Sequence, residues 1–133
     1  MIVLVIDANI LFSALIKNSM TAKIIFEDDI VLFAPEFIFD EFLKYEALIL
    51  SKTKRTKEDF IQIKQLIKEI ITIVPKEEYL QYIDEAEKFS PDKNYAMYLA
   101  LAVKLRCGVW SNDKKLKMQD GVIIYSTEDL IKE

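Results

Sequence analysis

Residues 2–7 read Ile-Val-Leu-Val-Ile-Asp, five apolar residues followed directly by an acid. An apolar run of this kind, rich in β-branched residues, is typical of a strand buried on both faces, as in parallel sheets. Further short strands are predicted at residues 30–33, 70–74, 108–110 and 122–125. Because segments with helical spacing separate these runs, the pattern predicts an α/β fold, a three-layer sandwich with a central, mostly parallel sheet flanked by helices.

The helical segments lie between the predicted strands. They cover residues 10–17, a second helix capped by Ser19 or Thr21 and running through Glu27, and residues 35–50, 59–69, 76–89 and 92–105. The polar, basic stretch at residues 51–57 predicts a loop, and Thr127 is expected to cap a final helical turn. No internal repeat or linker divides this alternation.

The composition predicts one domain over residues 1–133. Of the 133 residues 52% are apolar, and only two are glycine and three proline, so long linkers are not expected. No apolar run approaches the roughly 20 residues that span a bilayer, and the N-terminus lacks the basic flank of a secretory signal. The single cysteine, Cys107, favours a reducing, cytoplasmic setting away from membranes.

Charge and residue types narrow the possible chemistry. The net charge of −4 argues against a passive nucleic-acid binder, which usually carries a basic surface. The sequence contains no histidine, which excludes Ser-His-Asp and Cys-His catalysis as well as histidine-ligated zinc. Any reaction must therefore depend on carboxylates, hydroxyls, lysines or the one thiol.

Four acids stand where a metal site would need them. Asp7 directly follows the first strand, and Asp113 follows the fourth by three residues, so both should reach one edge of the sheet. Glu41 shares a helix face with apolar residues, and Asp92 opens the helix at residues 92–105. Carboxylates from separate elements suit Mg²⁺ or Mn²⁺, which can activate water and neutralise charge at a phosphate.

Each acid also has a structural interpretation, and both interpretations stay open. Asp7 could cap a helix, as could Asn9, and Asp113 lies in ordinary turn chemistry. Glu41 could pair with Lys44 on the helix surface, and Asp92 could be a solvated acid at a helix start. A receiver-like phosphotransfer domain also collects acids at strand ends, but the third strand here ends without an aspartate.

Three stretches resemble PIN-domain proteins, especially the bacterial and archaeal branch that includes VapC-like toxins. They are Val5-Ile-Asp7-Ala-Asn9 with the apolar residues after it, Pro35 through Asp40-Glu41-Phe42, and Ser90-Pro-Asp92-Lys-Asn-Tyr95 through Ala102 followed by Val109-Trp-Ser-Asn-Asp113-Lys. The resemblance spans nearly the whole chain. It implies a metal-dependent endoribonuclease, with Mg²⁺ or Mn²⁺ as cofactor, RNA as substrate and the role of toxin in a toxin–antitoxin pair.

Carried over residue by residue, the resemblance predicts a catalytic set and a metal site. Asp7, Glu41 and Asp113 match three acidic positions of the family, and Ser111 and Asn9 match its polar positions. With Asp92 added, the predicted catalytic residues are Asp7, Glu41, Asp92 and Asp113, and the predicted metal ligands are Asp7, Asp92 and Asp113.

One position departs from the family pattern. In the family an acid usually stands directly before the segment that corresponds to residues 96–102, Ala-Met-Tyr-Leu-Ala-Leu-Ala. Here that position is Tyr95, and Asp92 lies one helical turn earlier. Two functions follow as hypotheses: Asp92 supplies the missing carboxylate to an active nuclease, or the chain is a weakly active or inactive module that binds RNA or a partner protein. Tyr95 also offers a ring on which an RNA base could stack, although packing in the core is the favoured interpretation.

The sequence also suggests contacts for partners. The basic stretch at residues 52–57 and the lysines Lys114, Lys115 and Lys117 are candidate phosphate contacts, or else a solvated surface. The apolar helices at residues 37–50 and 60–71 could carry a homodimer face or a groove for an antitoxin, besides contributing to the core.

Overall fold

Five parallel strands form one central sheet in the computed structural model, which describes residues 2–17, 20–25, 27–54 and 56–131. The strands are β1 (Ile2–Ile6), β2 (Ile30–Pro35), β3 (Ile71–Val74), β4 (Gly108–Trp110) and β5 (Ile124–Tyr125). They lie in the order β3-β2-β1-β4-β5, and every neighbouring pair is parallel. The predicted fold class, α/β with a mostly parallel sheet flanked by helices, is confirmed.

The helices connect these strands and cover the sheet. They are α1 (Ala8–Lys17), α2 (Met20–Ile25), α3 (Phe37–Lys44), α4 (Glu46–Thr53), α5 (Lys57–Ile70), α6 (Lys76–Tyr79), α7 (Ile83–Phe89), α8 (Lys93–Leu105) and α9 (Thr127–Ile131). Short 3-10 helices follow at Leu80–Tyr82 and Leu116–Met118. Helix α8 packs on β1, β2 and β4, and α6 and α7 pack on α8.

Several predicted boundaries were wrong. Helix α4 continues through Thr53, and a capping box between Thr56 and Asp59 starts α5, so the predicted loop at residues 51–57 is much shorter. The predicted helix at residues 35–50 breaks at Tyr45, and the one at residues 76–89 is interrupted at Leu80–Tyr82. The predicted cap at Ser19 lies outside the described residues.

The order of the strands positions the functional edge of the sheet. From β1 the chain builds outward through β2 and β3, then returns to the other side of β1 to form β4 and β5. The carboxyl ends of β1 and β4 therefore flank the point where the winding reverses, which is where open α/β sheets bind ligands. Ile6 and Trp110 are register partners at that point, so the residues that follow each of them emerge side by side.

The core lies on both faces of the sheet and around α8. Leu4, Val5 and Ile6 of β1 are buried, as the continuous apolar run predicts. Helix α8 is buried over Tyr98–Ala102 because it lies between the sheet and helices α6 and α7. Within the described ranges, none of the helices combines the length and the apolar character needed to cross a membrane.

Candidate active site

Asp7 is a buried acid with one satisfied and one unsatisfied oxygen. Its side chain is 1% exposed, and Oδ1 accepts the backbone N–H of Ile10 at 3.0 Å, which caps α1. Oδ2 is buried and has no hydrogen-bond partner among the described residues. Burial raises the pKa of Asp7 to about 6, and the negative charge of Asp113 adds to this rise. Polar interactions with the Ser111 side chain and with the N–H groups of Ile10 and Asn9 lower the pKa in part. The capping interpretation therefore accounts for one oxygen and leaves the other available.

Asp113 follows the neighbouring strand at the same edge of the sheet as Asp7, and both oxygens of its carboxylate accept hydrogen bonds. Oδ2 accepts a hydrogen bond from the Tyr95 hydroxyl, and Oδ1 accepts the backbone N–H groups of Lys115 at 2.8 Å and Leu116 at 3.4 Å. Its own N–H donates to Ser111 Oγ at 3.2 Å. The Tyr95 hydrogen bond holds the pKa of Asp113 below its ordinary value. The predicted turn chemistry and the predicted place at the sheet edge are thus both present.

Asp92 is the N-cap of α8. Its Oδ1 accepts the N–H of Asn94 at 2.9 Å, and its own N–H donates to Ser90 Oγ at 3.3 Å. The side chain is exposed and lines the same cleft as Asp7. Asp92 consequently does what the structural interpretation predicted, and it also brings a carboxylate to the cleft.

Glu41 lines this cleft from α3, half-buried, together with Lys44. Both residues are described, and no ion pair joins them; the Lys44 ammonium lies 5.7 Å from the ring centre of Tyr45 instead. The predicted Glu41–Lys44 pair is therefore absent. Lys44 and Tyr45 were not predicted as cleft residues, although they follow Glu41 by three and four positions, which is the spacing of neighbours on a helix face.

The cleft between these residues has a volume of about 130 Å³. Its acids are Asp7, Glu41 and Asp92, and its other walls are formed by Ala8, Asn9, Phe12, Lys44, Tyr45, Asn94, Tyr95 and Tyr98. Tyr98, which follows Tyr95 by one helical turn, was not predicted as a site residue. Its hydroxyl is buried without a hydrogen-bond partner in the described part of the chain, and burial raises its pKa above the usual range.

The described basic residues that were predicted to contact phosphate do not line the cleft. Lys117 forms an ion pair with Asp129 at 2.6 Å, while Lys114 and Lys115 are exposed beside Asp113. Lys52, Lys54 and Lys57 are exposed at the ends of α4 and α5. Among the described residues, Lys44 is thus the lysine that lines the cleft itself.

A divalent cation fits this site as a hydrated ion. Within the described residues, no three acidic or cysteine side chains are grouped closely enough to hold a metal. Magnesium, however, usually takes one or two protein carboxylates and keeps several waters. Asp7 offers a buried oxygen without a partner among the described residues, and Asp113 follows the neighbouring strand at the same edge of the sheet. These two carboxylates can therefore hold a hydrated ion, whereas the described residues include no site made only of protein ligands.

With the geometry described, the chain can be compared with known proteins. The sequence profile of the PIN domain matches residues 5–133, which is nearly the whole chain. The chain belongs to the PIN domain family. No curated protein matches it by sequence.

A solved PIN-like structure shares the fold. It is a chain from the crystal structure of VapBC2 from Rickettsia felis bound to a DNA fragment from their promoter. The two chains superpose with a TM-score of 0.67 at 15% sequence identity, over 94% of this chain and 98% of that one. At this identity the likeness shows the fold, and the site residues of the PIN domain described above remain predictions.

Proposed function

We propose that this PIN domain is a metal-dependent endoribonuclease that cleaves RNA phosphodiester bonds with Mg²⁺ or Mn²⁺. Membership of the family supports a nuclease, and the main support for a bound metal ion is the Oδ2 atom of Asp7. That oxygen is buried, has no hydrogen-bond partner among the described residues, and lies at the carboxyl end of β1, beside β4. An unpaired buried carboxylate is costly unless a proton or a cation compensates it. A cation at this position is consistent with the acidic walls of the cleft.

The proposed roles follow from the contacts of each side chain. Asp7, Asp92 and Asp113 would hold the cation, and Glu41 on helix α3 would complete the catalytic set. When bound, a divalent ion neutralises charge at the scissile phosphate and lowers the pKa of water. Lys44 stands on the cleft wall without an ion pair among the described residues, so it is available to contact a substrate phosphate.

The direct test compares RNA cleavage by wild type and by Asp7→Asn at matched purity in the presence of Mn²⁺. The amide keeps an oxygen for the Ile10 N–H but removes the charge, so cleavage should be lost while the fold persists. Asp84→Asn, on the exposed surface of α7, is the matched control and should cleave like wild type. Equal cleavage by Asp7→Asn and wild type would refute the proposal.

A second candidate function rests on Tyr95. Because its hydroxyl occupies an oxygen of Asp113, the chain could instead be a weakly active or inactive PIN module that binds RNA or a partner protein. Calorimetric titration with Mn²⁺ separates the two. No binding at millimolar metal, with the circular dichroism of a folded protein, would favour the module without catalysis.

We further propose that the protein works in the cytoplasm as the toxin of a toxin–antitoxin pair and forms a homodimer. The solved neighbour is named as part of a VapBC complex, and this chain exposes Leu43, Leu48, Ile61 and Leu66 on α3, α4 and α5. Exposed apolar residues of this kind suit a protein partner. Co-purification with the product of the adjacent reading frame tests the antitoxin, and light scattering of the isolated chain tests the dimer.

A further inference from the structure

The two strand-end carboxylates differ in what they can offer a cation. Oδ2 of Asp7 has no partner among the described residues, whereas both oxygens of Asp113 already accept hydrogen bonds. The bonds to Oδ1 come from the backbone of the following turn, so they belong to the local fold. The bond to Oδ2 comes from Tyr95, eighteen residues away on α8. Only this last bond can be removed without altering the backbone.

Tyr95 is held in place to make this bond. It lies in the first turn of α8, where its N–H donates to the carbonyl of Asp92 at 3.1 Å. Its half-buried ring packs against the core and lines the cleft. A tyrosine phenol is protonated at neutral pH, so Tyr95 acts as the donor in this bond.

We propose that the Tyr95 hydroxyl is an internal competitor for the metal ion at the Asp113 carboxylate. It donates to Oδ2 of Asp113, and a cation that binds this oxygen in its place displaces it. The inference rests on the proposed function, because it concerns the affinity of the same site. The competing bond raises the concentration of free metal that is needed to load the site, because breaking the Tyr95 bond reduces the net free energy of binding.

The test is a calorimetric titration of Mn²⁺ into wild type, Tyr95→Phe and Tyr79→Phe. Tyr95→Phe keeps the ring and removes the competing hydroxyl, so its Kd for Mn²⁺ should fall by roughly tenfold, the effect of a hydrogen bond to a charged group. Tyr79→Phe is the matched control, because its hydroxyl is also buried without a partner among the described residues, and Tyr79 lines a different cavity. Its Kd should equal that of wild type.

A spectroscopic readout tests displacement directly. Adding Mn²⁺ to wild type should change the near-ultraviolet tyrosine absorbance as the phenol leaves Asp113, and this change should be missing in Tyr95→Phe. Equal Kd values for wild type and Tyr95→Phe would overturn the competitor role while leaving the metal site intact. An equal gain in Tyr79→Phe would also overturn it, and folded variants that all fail to bind Mn²⁺ would overturn the proposed metal site as well.

Discussion

The backbone N–H of Asp7 donates to the carbonyl of Trp110 at 3.4 Å, across the two strands that flank the reversal of the sheet. This contact extends the parallel ladder by one residue beyond β1. It places the Asp7 side chain beside Ser111 and the start of the loop that carries Asp113. The acid is thereby held in a buried position by the backbone of its neighbour, so its charge costs desolvation that the fold must bear.

That cost predicts a pH-dependent effect of Asp7→Asn on stability. The folded protein binds the Asp7 proton more tightly than the unfolded chain does, because the pKa rises from 3.8 to about 6. The charged carboxylate therefore destabilises the fold. This destabilisation is absent below the ordinary pKa of 3.8 and complete above the folded-state pKa of about 6. Relative to wild type, the variant should gain up to about 3 kcal/mol in unfolding free energy between pH 3.5 and pH 7.5, at about 1.4 kcal/mol per pKa unit.

Urea denaturation at those two pH values, without divalent metal, measures this gain. Asp84→Asn, at an exposed site on α7, should show no comparable change between the two pH values. A constant difference between Asp7→Asn and wild type across the range would mean that the buried carboxylate does not carry the pH dependence.

Gly108 is predicted to tolerate no side chain, because β4 and β5 meet closely there. A Cβ at this position would lie 2.6 Å from Cε2 of Tyr125 and 2.8 Å from the carbonyl oxygen of Ile123. The ring can move but the backbone oxygen cannot, so Gly108→Ala should lower the unfolding free energy by about 1–3 kcal/mol, the cost of overpacking. In chemical denaturation, adding Tyr125→Ala should fail to restore it. Recovery in that double variant would show that the ring alone makes the clash.

The parallel sheet could be predicted from the sequence because buried strands are marked locally. The bounds of β1 and β4 were predicted correctly, since a short apolar run next to Asp7 or Gly108 carries its own signal. The interruptions at Tyr45 and at Leu80–Tyr82 were missed, because the apolar spacing continues through both. Such breaks depend on how the helices pack, and local spacing contains no information about that.

The site could be predicted only in part, for the same reason. Asp7 and Asp113 were expected at one edge because the carboxyl ends of parallel strands meet there. The hydrogen bond from Tyr95 to Asp113 could not be predicted, since it depends on how α8 packs on the sheet and which rotamer the ring adopts. Lys44 was missed because its only signal is its helical spacing from Glu41.

Arg106 ends α8 in a conformation that favours glycine. Its φ is 55°, and the N–H of Cys107 reaches the carbonyl of Ala102 at 3.1 Å, as in a Schellman motif. Replacing a side chain in the left-handed region by glycine relieves strain, so Arg106→Gly should raise the unfolding free energy by about 0.5–1 kcal/mol. The control Lys104→Gly, two residues earlier in the helix, should lower it by about 1 kcal/mol. Chemical denaturation in which both variants lose stability would contradict this account.

Asp92 allows capping and metal binding to be separated. Asparagine caps helices about as well as aspartate, whereas alanine does not. Asp92→Asn should therefore keep the stability of wild type, while Asp92→Ala should lose about 1 kcal/mol when the acceptor for the Asn94 N–H disappears. Both variants lack the carboxylate that lines the cleft, so both should bind Mn²⁺ more weakly, by roughly tenfold or more.

Urea denaturation and Mn²⁺ calorimetry on the same two variants give the answer. If stability follows the cap and metal affinity follows the charge, Asp92 serves both the fold and the site. If Asp92→Asn binds Mn²⁺ as tightly as wild type, the residue is a helix cap alone, and the cation depends on Asp7 and Asp113. Asp92→Asn is the deciding variant, because it alone preserves the hydrogen bond to α8 while removing the negative charge. Wild-type stability together with weaker Mn²⁺ binding in this variant is the expected result.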